Sequence, residues 1–178
     1  MRSLGVAIGF LLLLSSCSER PSIQRSADDP FLTVPSHVAY NVKIAITDST
    51  RSKATLYARQ GNIDERNQRT TMVGNVIVDF YEKSGVAVQA RLTADSVVVN
   101  DITKDMIAHG NVRVESRTRQ ITLTTTLLTW VNATRRVQTE KPVHIETGSE
   151  SIDGVGFESN QDLSSYRLFH VRGVRRKS

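Results

Sequence analysis

The chain has 178 residues, one cysteine, one tryptophan and a formal net charge of +5, with 39% hydrophobic and 23% charged residues. Set apart from a leader and a tether, that length holds one ordinary domain with its own core, and a single cysteine excludes an intramolecular disulfide. Positive residues are spread along the chain except for Arg172, Arg175, Arg176 and Lys177 at its end, which read as a solvated tail or as a contact for an anionic lipid or protein.

Residues 1–16, MRSLGVAIGFLLLLSS, carry Arg2, an apolar run from Leu4 to Leu14 and then small residues. The run is shorter than the roughly 20 apolar residues of a spanning helix and has the layout of a secretory signal peptide. Leu14-Ser15-Ser16-Cys17 fits a bacterial lipoprotein processing box, and a free thiol is unusual in an exported protein, so Cys17 is the expected lipidation site. Its lipid would tether the body of the protein to a membrane on the periplasmic side, where nucleic acid is not a partner. Residues 17–35 are rich in Ser, Pro and charge and lack hydrophobic periodicity, as a tether should. The folded domain is then expected over residues 36–178.

Within that domain apolar and polar residues alternate, which predicts strands. The alternation puts Val38, Tyr40, Val42, Ile44 and Ile46 on one face of a first strand, with His37, Asn41, Lys43 and Thr47 opposite. Val76, Val78 and Phe80 form another such set, then Val86, Val88, Ala90, Leu92 and Ala94, then Val112 and Val114. Between them lie Gly61-Asn62, Glu82-Lys83-Ser84-Gly85, Asn100-Asp101, Gly110-Asn111 and Gly148-Ser149, where Gly and Asn tolerate positive φ and let the chain reverse or bulge. The fold class is all-β, a succession of short antiparallel strands.

Gly-Asn-Val occurs at Gly74 and again 36 positions later at Gly110, and Leu56, Leu92 and Leu128 keep the same spacing. A third entry, Lys141-Pro142-Val143, follows Gly110 by only 31. Repeated strand groups at such a period predict stacked units, solenoid-like or jelly-roll, that bury each other's apolar faces. The terminal strands of such a stack expose unpaired N–H and C=O groups and become candidate docking edges for another chain.

No constellation for catalysis stands out. His37, His109, His144 and His170 are widely spaced with no metal-ligand pairing, and neither a phosphate loop nor a Gly-x-Ser-x-Gly or Ser-x-x-Lys pattern occurs. The expectation is a protein that is not an enzyme and holds no cofactor or metal. Gly154 and Gly156 suit a turn or bulge, Trp130 suits the core, and Asn132-Ala133-Thr134 suits a turn.

The anchor, the tether, the Gly-Asn-Val entries, Thr139-x-Lys141-Pro142-Val143-x-Ile145 and the closing Gly154-Val155-Gly156-Phe157, Leu163-x-x-Tyr166 and Val171-x-Gly173 together resemble the LptC family over about residues 38 to 174. The resemblance implies a twisted antiparallel β-jelly-roll with an apolar trough. It also implies an inner-membrane lipopolysaccharide ABC transporter complex as donor, lipopolysaccharide as cargo and a periplasmic LptA-type bridge protein as acceptor. The docking edges would fall at Val38, Tyr40, Val42 and Ile44 for one partner and at Tyr166, Leu168 and Val171 for the other. This chain departs from the best-known members in carrying a lipobox in place of a transmembrane helix.

The apolar faces supply candidates for a lipid-binding lining: Val76, Val78, Phe80, Val88, Leu92, Val112, Val114, Leu123, Leu128, Trp130, Val143 and Ile145. Any one of them suits a closed core better, and parity does not divide the two sets because one bulge inverts the inward and outward faces. Two other functions stay open at this point. One is a structural or adaptor lipoprotein that pairs edges with envelope proteins and carries no lipid; the other is a soluble-bridge-type, LptA-like relative at the outer membrane.

Overall fold

The computed structural model describes residues 35–176; the leader, Cys17, most of the tether and Lys177 lie outside the described residues. Nine strands succeed one another: β1 (His37–Asp48), β2 (Arg51–Asp64), β3 (Arg69–Tyr81), β4 (Val88–Asn100), β5 (Met106–Ser116), β6 (Thr122–Val131), β7 (Arg136–Glu146), β8 (Glu150–Asn160) and β9 (Tyr166–Arg176). Every neighbouring pair is antiparallel and the order across the sheet is the order along the chain, so β1 and β9 are its two free edges. No helix occurs among the described residues.

A line of irregularities crosses the sheet at mid-strand. The register shifts between Tyr57 and Gln60 on β2, Val73 and Val76 on β3, Thr93 and Ser96 on β4, His109 and Val112 on β5, and Thr139 and Pro142 on β7. On β3 and β5 the extra residues are the repeated Gly-Asn pairs, with φ of 79° and 52° at Gly74 and Asn75 and of 69° and 42° at Gly110 and Asn111. Left-handed conformations at consecutive positions need Gly and Asn. The two Gly-Asn-Val copies therefore bulge their strands and deliver Val76 and Val112 into the core, each 1% exposed. Pro142, which lacks a ladder donor, occupies the matching break on β7.

This crease divides the sheet into two limbs. On the first limb a cross-strand row runs Ile44, Leu56, Val78, Leu92, Val114, Leu123, Ile145, Ile152 and Val174, one residue from each strand. On the second limb Met72, Val97, Ala108 and Leu128 form one row, with Val99, Met106, Trp130 and Val137 in the next. The apolar faces of the limbs meet: Phe80 and Trp130 approach to 5.5 Å between ring centroids. The core is thus one sheet folded along its crease, which is how a jelly-roll buries a single meander.

Some sequence expectations change. The repeat unit is a hairpin rather than a solenoid coil, since Gly74 and Gly110 lie on alternate strands. Leu128 is not the equivalent of Leu56 and Leu92: those two pair with Val78 and Val114 on the first limb, whereas Leu128 pairs with Ala108 on the second. Leu123 takes the equivalent place, 31 positions after Leu92, the same spacing that separates Val112 from Val143. Gly61-Asn62 does not end a strand; Gly61 lies within β2, where a Cβ would come within 3.0 Å of Val42. Val86 belongs to the β3–β4 turn and is exposed. On β1, Asn41 at φ 52° inverts the alternation, so Val38 and Tyr40, 46% and 72% exposed, face away from the side that buries Ile46.

Candidate functional site

The space between the limbs is where the apolar faces of β1 to β8 converge, with Leu168 of β9 packed against them. Its walls at the closest approach are Val78, Phe80 and Leu92 from the first limb and Val97, Met106, Ala108, Leu128 and Trp130 from the second, around a cavity of about 10 Å³. Eleven of the twelve lining candidates, Val76, Val78, Phe80, Leu92, Val112, Val114, Leu123, Leu128, Trp130, Val143 and Ile145, are buried there, and Val88 is half-buried at the start of β4.

Sequence periodicity did not single out Met72, Val97, Val99, Met106, Val137 or Phe157, although they complete the second limb's wall. The signal was present as alternation, but the crease shifts its phase: on β4, Leu92 and Ala94 face inward before it and Val97 and Val99 after it. Only the position of the bulge tells which phase applies.

The mouth of the fold, opposite the crease, is polar and bonded. Trp130 Nε1 donates to Gln161 Oε1 at 3.2 Å, and Gln161 Nε2 donates to the Tyr81 carbonyl at 2.7 Å. Gln161 and Leu163 lie in the β8–β9 turn and are both buried, which nothing in the polar stretch Asn160–Ser165 announced.

On the outer face of the first limb Asp79 is buried to 6% exposure beneath Arg91, whose Nε and Nη2 donate to its two carboxylate oxygens at 2.7 and 2.9 Å. The Asp79 bonds hold the Arg91 guanidinium more firmly protonated than usual, working against its partial burial. Farther along that face His144 Nδ1 lies 2.7 Å from Asp153 Oδ1, and its Nε2 lies 3.4 Å from Ser151 Oγ and 3.7 Å from Glu146 Oε1. With Nε2 shared between a hydroxyl and a carboxylate on paired strands, the imidazole acts as a cross-strand tie rather than a base dedicated to Ser151. Among the described residues no cluster of three His, Cys, Asp or Glu side chains is placed to hold a metal.

The two edges differ. On β1, Val38 and Tyr40 project outward while Val42 and Ile44 are half-buried against the core. On β9, Tyr166 stacks on Phe157 with centroids 5.7 Å apart, Leu168 packs over Gly154, and Val171 stands 57% exposed. Arg167, His170, Arg172, Arg175 and Arg176 make β9 strongly basic. Each edge offers unpaired backbone groups along one side.

The crystal structure of LptH, the LptA homologous periplasmic component of the conserved lipopolysaccharide transport device from Pseudomonas aeruginosa, superposes with a TM-score of 0.52 at 12% identity, covering 66% of this chain and 82% of that one. At that identity the likeness is one of fold, an antiparallel β-jelly-roll. No curated protein matches the chain. A family profile described as "Lipopolysaccharide-assembly, LptC-related" matches residues 4–175, nearly the whole sequence, and the chain therefore belongs to that family.

Proposed function

We propose that this protein is a membrane-tethered periplasmic lipid-transfer subunit that accepts lipopolysaccharide from an inner-membrane ABC transporter and passes it to an LptA-type bridge protein towards the outer membrane. Membership of the LptC-related family supports a part in lipopolysaccharide transport, carried out by binding rather than by catalysis. The donor, the acceptor, the Cys17 lipid anchor and the inner membrane as its site are the finer parts of the proposal. The observation that carries it is the continuous apolar row across all nine strands, buried from Leu56 on β2 to Ile145 on β7, half-buried at Ile44 and Ile152 and exposed at Val174 on the β9 edge.

The physical need is large. Exposing one long acyl chain to water costs on the order of 10 kcal/mol, at roughly 0.8 kcal/mol for each of about a dozen CH₂ groups. A lipid with several chains requires a dry path, and the paired faces of a creased sheet supply one. The edges at Val38, Tyr40, Val42 and Ile44 and at Tyr166, Leu168 and Val171 would each take a partner strand by β-addition, continuing that path into the next protein.

An adaptor that carries no lipid is the second reading, favoured by the filled interior with its cavity of about 10 Å³. In-cell photocrosslinking separates the two. A photoreactive residue placed in turn at Leu92, Met106 and Leu128, with exposed Arg117 as control, should yield lipopolysaccharide adducts from the three interior positions and none from Arg117. Adducts to protein alone at every position would replace lipid transfer with the adaptor. Fractionation of the Cys17-acylated form between inner and outer membranes distinguishes the LptC-like role from a bridge-type relative at the outer membrane.

A further inference from the structure

The space enclosed between Phe80, Leu92, Met106 and Trp130 is about 10 Å³, room for about one water. No acyl chain fits there unless the limbs part. On the side opposite the crease, a small set of polar contacts joins the limbs beside the packing of Phe80 on Trp130.

Gln161, in the β8–β9 turn of the second limb, is 3% exposed. Its Nε2 donates to the carbonyl of Tyr81, the last residue of β3 on the first limb, at 2.7 Å. Its Oε1 accepts from Trp130 Nε1 at 3.2 Å. Arg135, in the β6–β7 turn, donates to the same Tyr81 carbonyl at 3.4 Å and accepts from the Gln161 backbone N–H at 3.1 Å. Lys53 Nζ on β2 reaches Asn132 Oδ1 in the β6–β7 turn at 3.2 Å. Tyr81 and Lys53 belong to the first limb, and the other groups to the second.

None of the bonds from Gln161, Arg135 or Lys53 across the mouth belongs to a strand ladder, so breaking them separates the turns without unpairing a strand. Leu163, two residues beyond Gln161, is fully buried with φ of 61°, and Arg135 has φ of 54°. Ser49, Gln68, Lys104 and Gln120 in other turns share this left-handed backbone, so what sets the β8–β9 turn apart is the burial of Gln161 and Leu163 beneath the mouth.

We propose that Gln161 is the centre of a latch that keeps the two limbs shut over Phe80 and Trp130, and that an acyl chain enters only when this latch releases. The second half rests on the lipid-transfer reading above; the first does not. A carboxamide suits the task because it satisfies an indole N–H and a backbone carbonyl at once, with a donor for one and an acceptor for the other. Water replaces both partners once the mouth opens, so these bonds by themselves add only about 1 kcal/mol each to the closed state, a bias of less than about tenfold.

The test uses the full chain with Cys17 replaced by serine and spin labels at exposed Lys83 and Ala133, in turns on opposite limbs. Pulsed dipolar spectroscopy without lipid should give one narrow distance for the parent. Gln161→Ala should give a longer, broader distribution, and so should Gln161→Glu, which keeps the size but at pH 7.5 turns an acceptor towards the Tyr81 carbonyl. Amide exchange over residues 82–88 and 132–135 should quicken about tenfold, as loss of one net hydrogen bond implies. Arg135→Ala, which removes only the peripheral bond, should open less and serves if the other variants unfold. Unchanged distances and exchange in folded Gln161 or Arg135 variants overturn the latch.

Purified lipopolysaccharide is then added. A shift of the parent to the open distance supports release on loading. Binding without any shift overturns that step, whereas open variants with no binding by any form leave the latch standing and remove lipid transfer.

Discussion

Phe80 and Trp130 belong to strands that are not neighbours in the sheet, yet their rings lie 5.5 Å apart and inclined at 44°. The contact exists because the crease turns β3 and β6 halves towards each other, and it marks where the limbs press most closely. Trp130→Ala should cost about 3–5 kcal/mol, combining lost burial with a cavity the paired sheet cannot collapse. Urea denaturation followed by circular dichroism measures it. Trp130 is the only tryptophan, so in the parent its emission should move to longer wavelength as the limbs separate.

Gly110 should tolerate substitution less than its repeat partner Gly74. Both have left-handed φ, but a Cβ at Gly110 runs into the Asp95 carboxylate, which Asn111 Nδ2 holds at 2.9 Å, whereas at Gly74 it meets Arg59 Cβ at 3.2 Å. Gly110→Ala is expected to lose about 1–3 kcal/mol and Gly74→Ala about 1 kcal/mol. Adding Asp95→Ala to Gly110→Ala should recover part of the loss, and thermal melts of the cycle read it directly. Equal losses at the two glycines, with no recovery, would show that φ alone sets the cost.

Alternation made the all-β, antiparallel fold legible, because a half-buried strand has to repeat every two residues. The paired Gly-Asn-Val copies marked the crease without revealing that it was one. Phase after the crease was hidden: Leu92 and Ala94 predict inward-facing Ser96, yet Val97 turns inward, since the β4 ladder slips between Thr93 and Ser96. The mouth was hidden for another reason. Gln161, Arg135 and Tyr81 are far apart in sequence and join through backbone carbonyls, which leave no imprint on residue pattern.

Asp79 and Arg91 should be strongly coupled for an outer-face pair. Asp79 is almost fully buried, and removing Arg91 leaves its carboxylate without two charge-assisted bonds. Arg91→Ala is expected to cost about 1–3 kcal/mol, with a coupling to Asp79→Ala of about 1 kcal/mol once solvent screening of the partly exposed guanidinium is allowed for. A double-mutant cycle in urea gives both numbers, and a coupling near zero would make the pair a surface ornament.

Charges placed on the outward side of β1 should separate docking from folding. Val38→Lys and Tyr40→Lys alter well exposed side chains on a free edge, so stability should stay within about 0.5 kcal/mol of the parent. Pull-down of the inner-membrane transporter should fall at least severalfold, since lysine on an edge strand opposes strand addition. Undiminished capture by both variants would remove this half of β1 from the docking edge.

Each strand pairs only with its neighbours in the chain, and the repeat is a hairpin. Inserting or deleting one hairpin therefore changes the span from β1 to β9 by about 10 Å, two strand spacings, without rerouting the chain or altering either edge. Length becomes a quantity adjustable in whole steps, as in a ruler with interchangeable divisions. The 36-residue and 31-residue spacings would then be the trace of a gene that grew by copying one such division and trimming its turns.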